Sequence, residues 1–281
     1  MIDLDKLLIQ ANELAPLPAT AVSLAEMVAR PNCHLADVAE LIRYDQTLTL
    51  KVLKAANSAA SAPEERIGDV RDAVTRIGTA QVLGLVVASS ARSLLRRRIL
   101  AYGLEEGALW RHSVAAAVAV EAMHRVPGLK PPPETFTAAL LHDVGKLVMG
   151  RFLTPTVAGV IGRAKEADHL AQSDAEYAIL QANHGEVGGV IAQHWLLPPG
   201  IVAGITFHHD PDKGGDPICD YCHLADGVAK SIEAGLDNIR HDIVIRPEIA
   251  ERLGLDEAKI QELCSESSAC YEQVKRRYNA V

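Results

Sequence analysis

The sequence predicts an all-α protein, and three observations carry that reading. Apolar residues recur at helical rather than alternating spacing along the chain, aspartates and glycines stand where helices should start and stop, and only Ile243-Val244-Ile245 looks extended, too short a run to carry a sheet. The first apolar set, Leu4, Leu7, Leu8 and Ala11, falls at i, i+3, i+4 and i+7. Leu48, Val52, Ala55 and Ala56 continue this helical pattern, with Asp45 as the start signal. Asp69 precedes Val70, Ala73, Val74 and Ile77, and Gly78 ends that helix in the position glycine favours. Thr79 then caps a longer apolar helix through Val82, Leu85 and Val86. Further helices are expected at about 110–125, 134–149, 173–183, 186–196, 199–207, 217–235 and 256–278.

Composition bounds the function. At 281 residues, 48% apolar and 23% charged, the chain is globular and long enough for a sizeable core. A net charge of −8 and only 4% aromatics argue against nucleic-acid binding. The longest apolar runs, Val82 to Ala88 and Val114 to Val120, are seven residues each, whereas a membrane-spanning helix needs roughly 20. The first ten residues, MIDLDKLLIQ, carry acids where a secretory leader carries basic residues, so the expected location is cytoplasmic. Five cysteines form no even framework. Cys219 to His223 matches the C-x-x-C-H pattern of covalent haem attachment, which belongs to exported proteins and reads here as coincidence.

Boundaries fall near 95–108 and at the stiff Lys130-Pro131-Pro132-Pro133 connector. They suggest an N-terminal helical lobe over 1–100, a second lobe over 101–235 and a C-terminal helical extension over 236–281. The Arg96-Arg97-Arg98 run reads either as a phosphate contact or as a solvated helix end.

The chemistry-bearing residues lie mostly after residue 108. His142-Asp143 is an adjacent pair whose side chains, about 100° apart on a helix, can still converge on one ion. Ala138 and Ala139, one turn earlier, leave room for it. Imidazole with carboxylate suits zinc, iron, manganese or a similar divalent ion. Alone the pair also reads as a surface or capping feature. Its context is richer, because His112 opens an alanine-rich helix, His184 opens another, His208-His209 closes a third and Asp226 lies inside a fourth. His34, His124, His169, His194 and His241 read as ordinary surface or packing residues, and His223 as a possible substitute ligand at i−3 from Asp226.

These residues carry a resemblance. His112, His142, Asp143 and Asp226 occur in the order of the four metal ligands of the HD phosphohydrolase superfamily, and His184, His208 and His209 resemble the extra ligands of its two-metal HD-GYP branch. Toward the N-terminus, Leu14-Ala15-Pro16-Leu17-Pro18, Tyr44-Asp45-Gln46-Thr47, Leu53 to Ala59, and Ile67-Gly68 through Ile77-Gly78 look like an HDOD domain, the HD-related output domain of bacterial signalling proteins. The likeness covers roughly residues 8–235. It implies a two-lobed helical fold ending in an HD-superfamily bundle, with one or two divalent ions (Fe, Mn, Zn, Ni or Mg) and other signalling proteins as partners. HD-GYP relatives hydrolyse cyclic di-GMP, but Asp216 stands where their Gly-Tyr-Pro tyrosine would be, which tells against that substrate.

Two readings follow. In the first the chain is a non-catalytic signalling module, its His/Asp cluster a structural network or an ion that cross-links helices; the polar pair Asn57-Ser58 inside an apolar helix points weakly the same way. In the second it is a metal-dependent phosphohydrolase of a nucleotide or other phosphoester, with Asp143 and Lys146 catalytic, the Lys146 ammonium one turn after His142 and near a phosphate. Lys146 reads equally as an exposed helix lysine. Glu186 and Asp210 are the expected acceptors for unused imidazole nitrogens.

Overall fold

Asp45 and Asp69 both cap helices. The computed structural model describes residues 9–10, 13–14, 16–30, 32–57, 66–168, 172–234 and 245–278. In it the Asp45 carboxylate accepts from Thr47 N at 2.9 Å and Leu48 N at 3.0 Å, opening helix α3 (Gln46–Ala56). Asp69 accepts from Arg71 N at 2.8 Å and opens α4 (Val70–Ile77). Before them lie α1 (Ala19–Val28) and α2 (Leu35–Arg43), which the sequence reading did not single out. Gly78, at φ 80°, turns the chain through 104° into α5 (Thr79–Leu95). Thr79 is the first helical residue of α5, and Gly78 occupies the cap position. Asn57 is a structural pin: its side chain donates to the Leu53 and Ile67 carbonyls and accepts from Ile67 N. Ser58, like most of the predicted Leu4-to-Ala11 helix and most of Ile243-Val244-Ile245, falls outside the described residues.

The second lobe is built around α6 (Ala108–Met123), which is buried on nearly every side because alanines and valines let neighbours approach closely. Packed on it are α7 (Thr135–Leu141), α14 (Pro217–Ala234) and α16 (Glu257–Tyr278). Between them in sequence come α8 (Lys146–Phe152), α9 (Pro155–Asp168), α10 (Gln172–Leu180), α11 (His184–His194), α12 (Pro199–Phe207) and the short α13 (Pro211–Gly214). A further short helix, α15 (Pro247–Arg252), precedes α16. One apolar core runs through both lobes, and α5 is shared: Gly84, lacking a Cβ, receives the ring of Phe136 from α7.

The expected single helix over 134–149 is broken. Residues His142 to Gly145 form a turn between α7 and α8, and a Cβ on Gly145 would collide with the His184 carbonyl and lie 2.7 Å from Gly188 N. Backbone contact with α11 therefore decides the break. The Arg96–Arg98 run is a solvated end, with Arg98 paired to Glu105 at 2.8 Å and Arg96 to Glu106 at 3.6 Å. Cys219 and Cys222 are buried free thiols on α14, closed to covalent haem attachment. Among the described residues no single helix is long and apolar enough to cross a membrane, and the only β pairing is the isolated Ile99–Leu104 bridge.

Candidate metal centre

Five separate stretches bring the polar residues together. His112 sits near the start of α6, His142 and Asp143 occupy the turn after α7, and Asp226 lies within α14. His184 opens α11 behind a capping box, in which the Asn183 side chain accepts from Glu186 N and the Glu186 carboxylate accepts from Asn183 N, both at 3.0 Å. Helix α12 ends at Phe207, so His208 and His209 leave the helical register and both face His184.

Among the described residues three groups could hold a cation: His112–His142–Asp226, His142–Asp143–His208 and His184–His208–His209. Asp143 links them, with Oδ1 3.1 Å from His184 Nε2 and Oδ2 3.5 Å from His142 Nε2 and 3.6 Å from His112 Nε2. His112 Nε2 is 3.1 Å from Asp226 Oδ1 and 3.2 Å from His142 Nε2.

The outward ring nitrogens fix the tautomers. Carbonyls and carboxylates only accept, so each Nδ1 facing one is a donor. His142 Nδ1 donates to the Ala139 carbonyl and His208 Nδ1 to the Ile205 carbonyl, each at 2.7 Å. His184 Nδ1 donates to Glu176 at 2.7 Å, and His112 Nδ1 to Glu233 at 3.2 Å. Four Nε2 atoms are thus turned inward, toward one another and toward carboxylate oxygens, and buried His208 Nε2 has no partner. Inward-facing lone pairs and carboxylates demand positive charge between them, and the donor set fits a divalent ion such as zinc, iron or manganese.

Burial and charge act unevenly on these groups, leaving His208 and His209 as neutral donors while His112 takes up a proton when no ion is bound. Burial and the neighbouring His142 and His184 imidazoles hold His208 well below its ordinary value, and burial with His208 and His184 does the same for His209. Both stay neutral. Burial would also lower His112, but bonds to Asp226 and Glu233 overcome it and push it up to about 9. Burial opposes ionisation of Asp143 and Asp226, yet Lys146 and His142 outweigh it for the first, and Lys230 and His112 for the second, so both carboxylates stay well below their usual range.

Several expectations change here. The His-Asp pair is buried rather than a surface feature. Lys146 is neither exposed nor unpartnered: it is largely buried and donates to Asp143 Oδ2 at 2.6 Å. The imidazole acceptors are Glu176 and Glu233, not Glu186, which is spent on the capping box, or Asp210, which pairs with Lys213 and Arg246. His223 joins none of the three groups and donates instead to the His208 carbonyl at 2.8 Å. Asp216 accepts from Ile218 N at 2.9 Å and serves as a start signal for α14. His34, His124 and His194 are exposed, whereas His169 and His241 lie outside the described residues. A cavity of about 530 Å³ opens onto the cluster at His112 and Asp143 and carries the cations Arg111, Lys146 and Lys230.

The HDOD domain model matches residues 14–211. The chain belongs to the HDOD family. An HDOD domain protein of Geobacter sulfurreducens superposes with a TM-score of 0.67 at 23% identity, over 97% of this chain and 98% of that one. A Shewanella amazonensis protein provisionally described as a phosphohydrolase gives a TM-score of 0.65 at 25% identity, over 95% and 97%. A Marinobacter aquaeolei protein provisionally described as acting in signal transduction gives 0.68 at 22%, over 94% of this chain and 59% of its own. An uncharacterised Treponema pallidum protein is 22% identical over 200 residues, and the HDOD chain described here spans 38% of that relative's length.

Proposed function

We propose that this HDOD protein is a bacterial signal-transduction output module whose HD centre holds one or two divalent ions and binds a phosphoester or nucleotide. Residues 1–100 form the lobe that meets other signalling proteins, 101–235 the metal-site lobe and 236–281 an extension. The observation that carries the reading is the set of inward Nε2 atoms on His112, His142, His184 and His208, each oriented by an acceptor on its Nδ1. His112, His142, Asp143 and Asp226 would hold one ion, and His184, His208 and His209, with the other oxygen of Asp143, a second. An ion there supplies Lewis acidity, polarising a phosphoester oxygen and neutralising charge that builds on it. Lys146 and Lys230, tied to Asp143 and Asp226 at 2.6 Å each, keep those carboxylates ionised and present positive charge to the cavity.

A second reading, a metal-dependent phosphohydrolase with Asp143 and Lys146 catalytic, draws on the cavity reaching the cluster. Metal analysis of protein purified without chelator, followed by assay of a phosphoester panel with added manganese or iron, separates the two. The module reading expects stoichiometric metal and no turnover. Turnover that disappears in Asp143→Ala establishes the hydrolase instead, and absence of metal in both removes the centre.

A further inference from the structure

The cavity beside His112 has a wall that the HDOD match does not reach. Helix α16 lies beyond residue 211, yet it packs on α6, the helix carrying His112, and buries Leu263, Cys264 and Ser267 there. Arg125, just past the end of α6, bonds Glu266 at 3.1 Å and holds α16 in register. That docking puts Tyr271 on the cavity wall, where Leu104, Leu109 and Ile232 also lie. The remaining lining is charged: the cations Arg111, Lys146 and Lys230 stand with His112 and the carboxylates of Asp143 and Glu233, the latter bonded to His112 Nδ1 at 3.2 Å. Lys146 and Lys230 are committed to Asp143 and Asp226, whereas Arg111, also on the wall, forms no ion pair within 4.0 Å among the described residues. One chamber thus joins an aromatic ring and apolar side chains to an uncommitted guanidinium. A ring of this kind is matched by another flat ring, and a free guanidinium by phosphate oxygens.

We infer that Tyr271 is a ligand-contacting, specificity-determining residue, and that the cavity takes a phosphoester whose organic part is a flat ring seated against Tyr271, with its phosphate toward Arg111. This rests on the reading that the cavity binds a phosphoester and adds which phosphoesters it prefers. Burial, reinforced by the Glu233 carboxylate, pushes the Tyr271 hydroxyl up to about 12, so the side chain stays neutral and does not repel an anion. The tail helix is then part of the ligand site and not merely a cap.

Phenylphosphonate and methylphosphonate share a headgroup, resist hydrolysis and differ by the ring. Calorimetric titration of the full-length, metal-replete protein should give about tenfold tighter binding of the phenyl compound. Tyr271→Ala should reduce that ratio to about one while methylphosphonate affinity changes by less than about twofold. Tyr271→Phe should keep the ratio, which excludes a folding defect as the cause, and Arg111→Met should weaken both ligands alike. A ratio that survives Tyr271→Ala, or a ratio near one in the unaltered protein, overturns the assignment of Tyr271 while leaving phosphoester binding in place. If neither phosphonate binds the unaltered protein, the cavity reading falls and the role of Tyr271 with it.

Discussion

His112 is the residue at which a proton and a metal ion would compete. Its imidazole is raised to about 9 by Asp226 and Glu233 against the opposing effect of burial, from an ordinary 6.5. A group whose folded value lies above its unfolded one stabilises the protein fully below the unfolded value and loses that contribution as pH rises through the folded value. Chelator-treated protein should therefore lose stability between about pH 6.5 and 9, by up to about 3 kcal/mol from this residue. Urea unfolding across that range checks it, with His112→Gln expected to flatten the loss; an unchanged slope in the variant would assign the effect elsewhere. The seven side chains that the structure gathers were visible in the sequence because imidazole and carboxylate announce themselves by type. Their acceptors were not. Glu176 lies eight residues before His184 on another helix, and Glu233 meets His112 across 121 residues, so neither pairing has a local signature.

Among the elements, the approach of α11 to α12 sets the second half of the centre. Gly185, Gly188 and Gly189 form a face of α11 without side chains, against which Ile205 and Thr206 pack. A Cβ on Gly185 would lie 2.8 Å from the Thr206 carbonyl oxygen and 3.2 Å from His208 Cε1. Gly185→Ala should cost about 1–3 kcal/mol by overpacking and should lower bound metal by displacing His208 from His184. Gly68→Ala, with nothing within 4 Å of the new methyl, is the matched control. Thermal unfolding and metal content measured on both variants decide the matter; equal behaviour would show that the α11–α12 contact yields without disturbing the site. Helix α12 was legible because Pro199 marks its start and its apolar run stops at Phe207. Helix α2 went unread although Val38, Ala39 and Ile42 fall on one buried face, because neither a proline nor a capping side chain marks its start. The break at His142–Gly145 was hidden, since Val144, Leu147 and Val148 continue the apolar period across it. Only the backbone of α11, distant in sequence, interrupts that helix.

For the whole molecule, the continuous core would make ion binding at the candidate centre a matter of global stability. The cluster draws on α6, α11, α14 and the turns after α7 and α12, so a bound ion ties the second lobe together at five points. Gly84 and Phe136 carry that constraint into α5, and Leu83 and Val87 of α5 belong to the same core as Leu24 of α1. The lobes should therefore unfold as one unit. A ligand that binds only the folded state at a hundred times its dissociation constant adds about 2.7 kcal/mol, which for a chain of this size raises the melting midpoint by roughly 5 °C. Calorimetry should show one transition for the metal-loaded protein and one, at lower temperature, after chelation. Two transitions, of which only the later responds to metal, would mean that the α5–α7 contact does not couple the lobes. An N-terminal lobe that melts independently could not report the state of the centre through rigid packing.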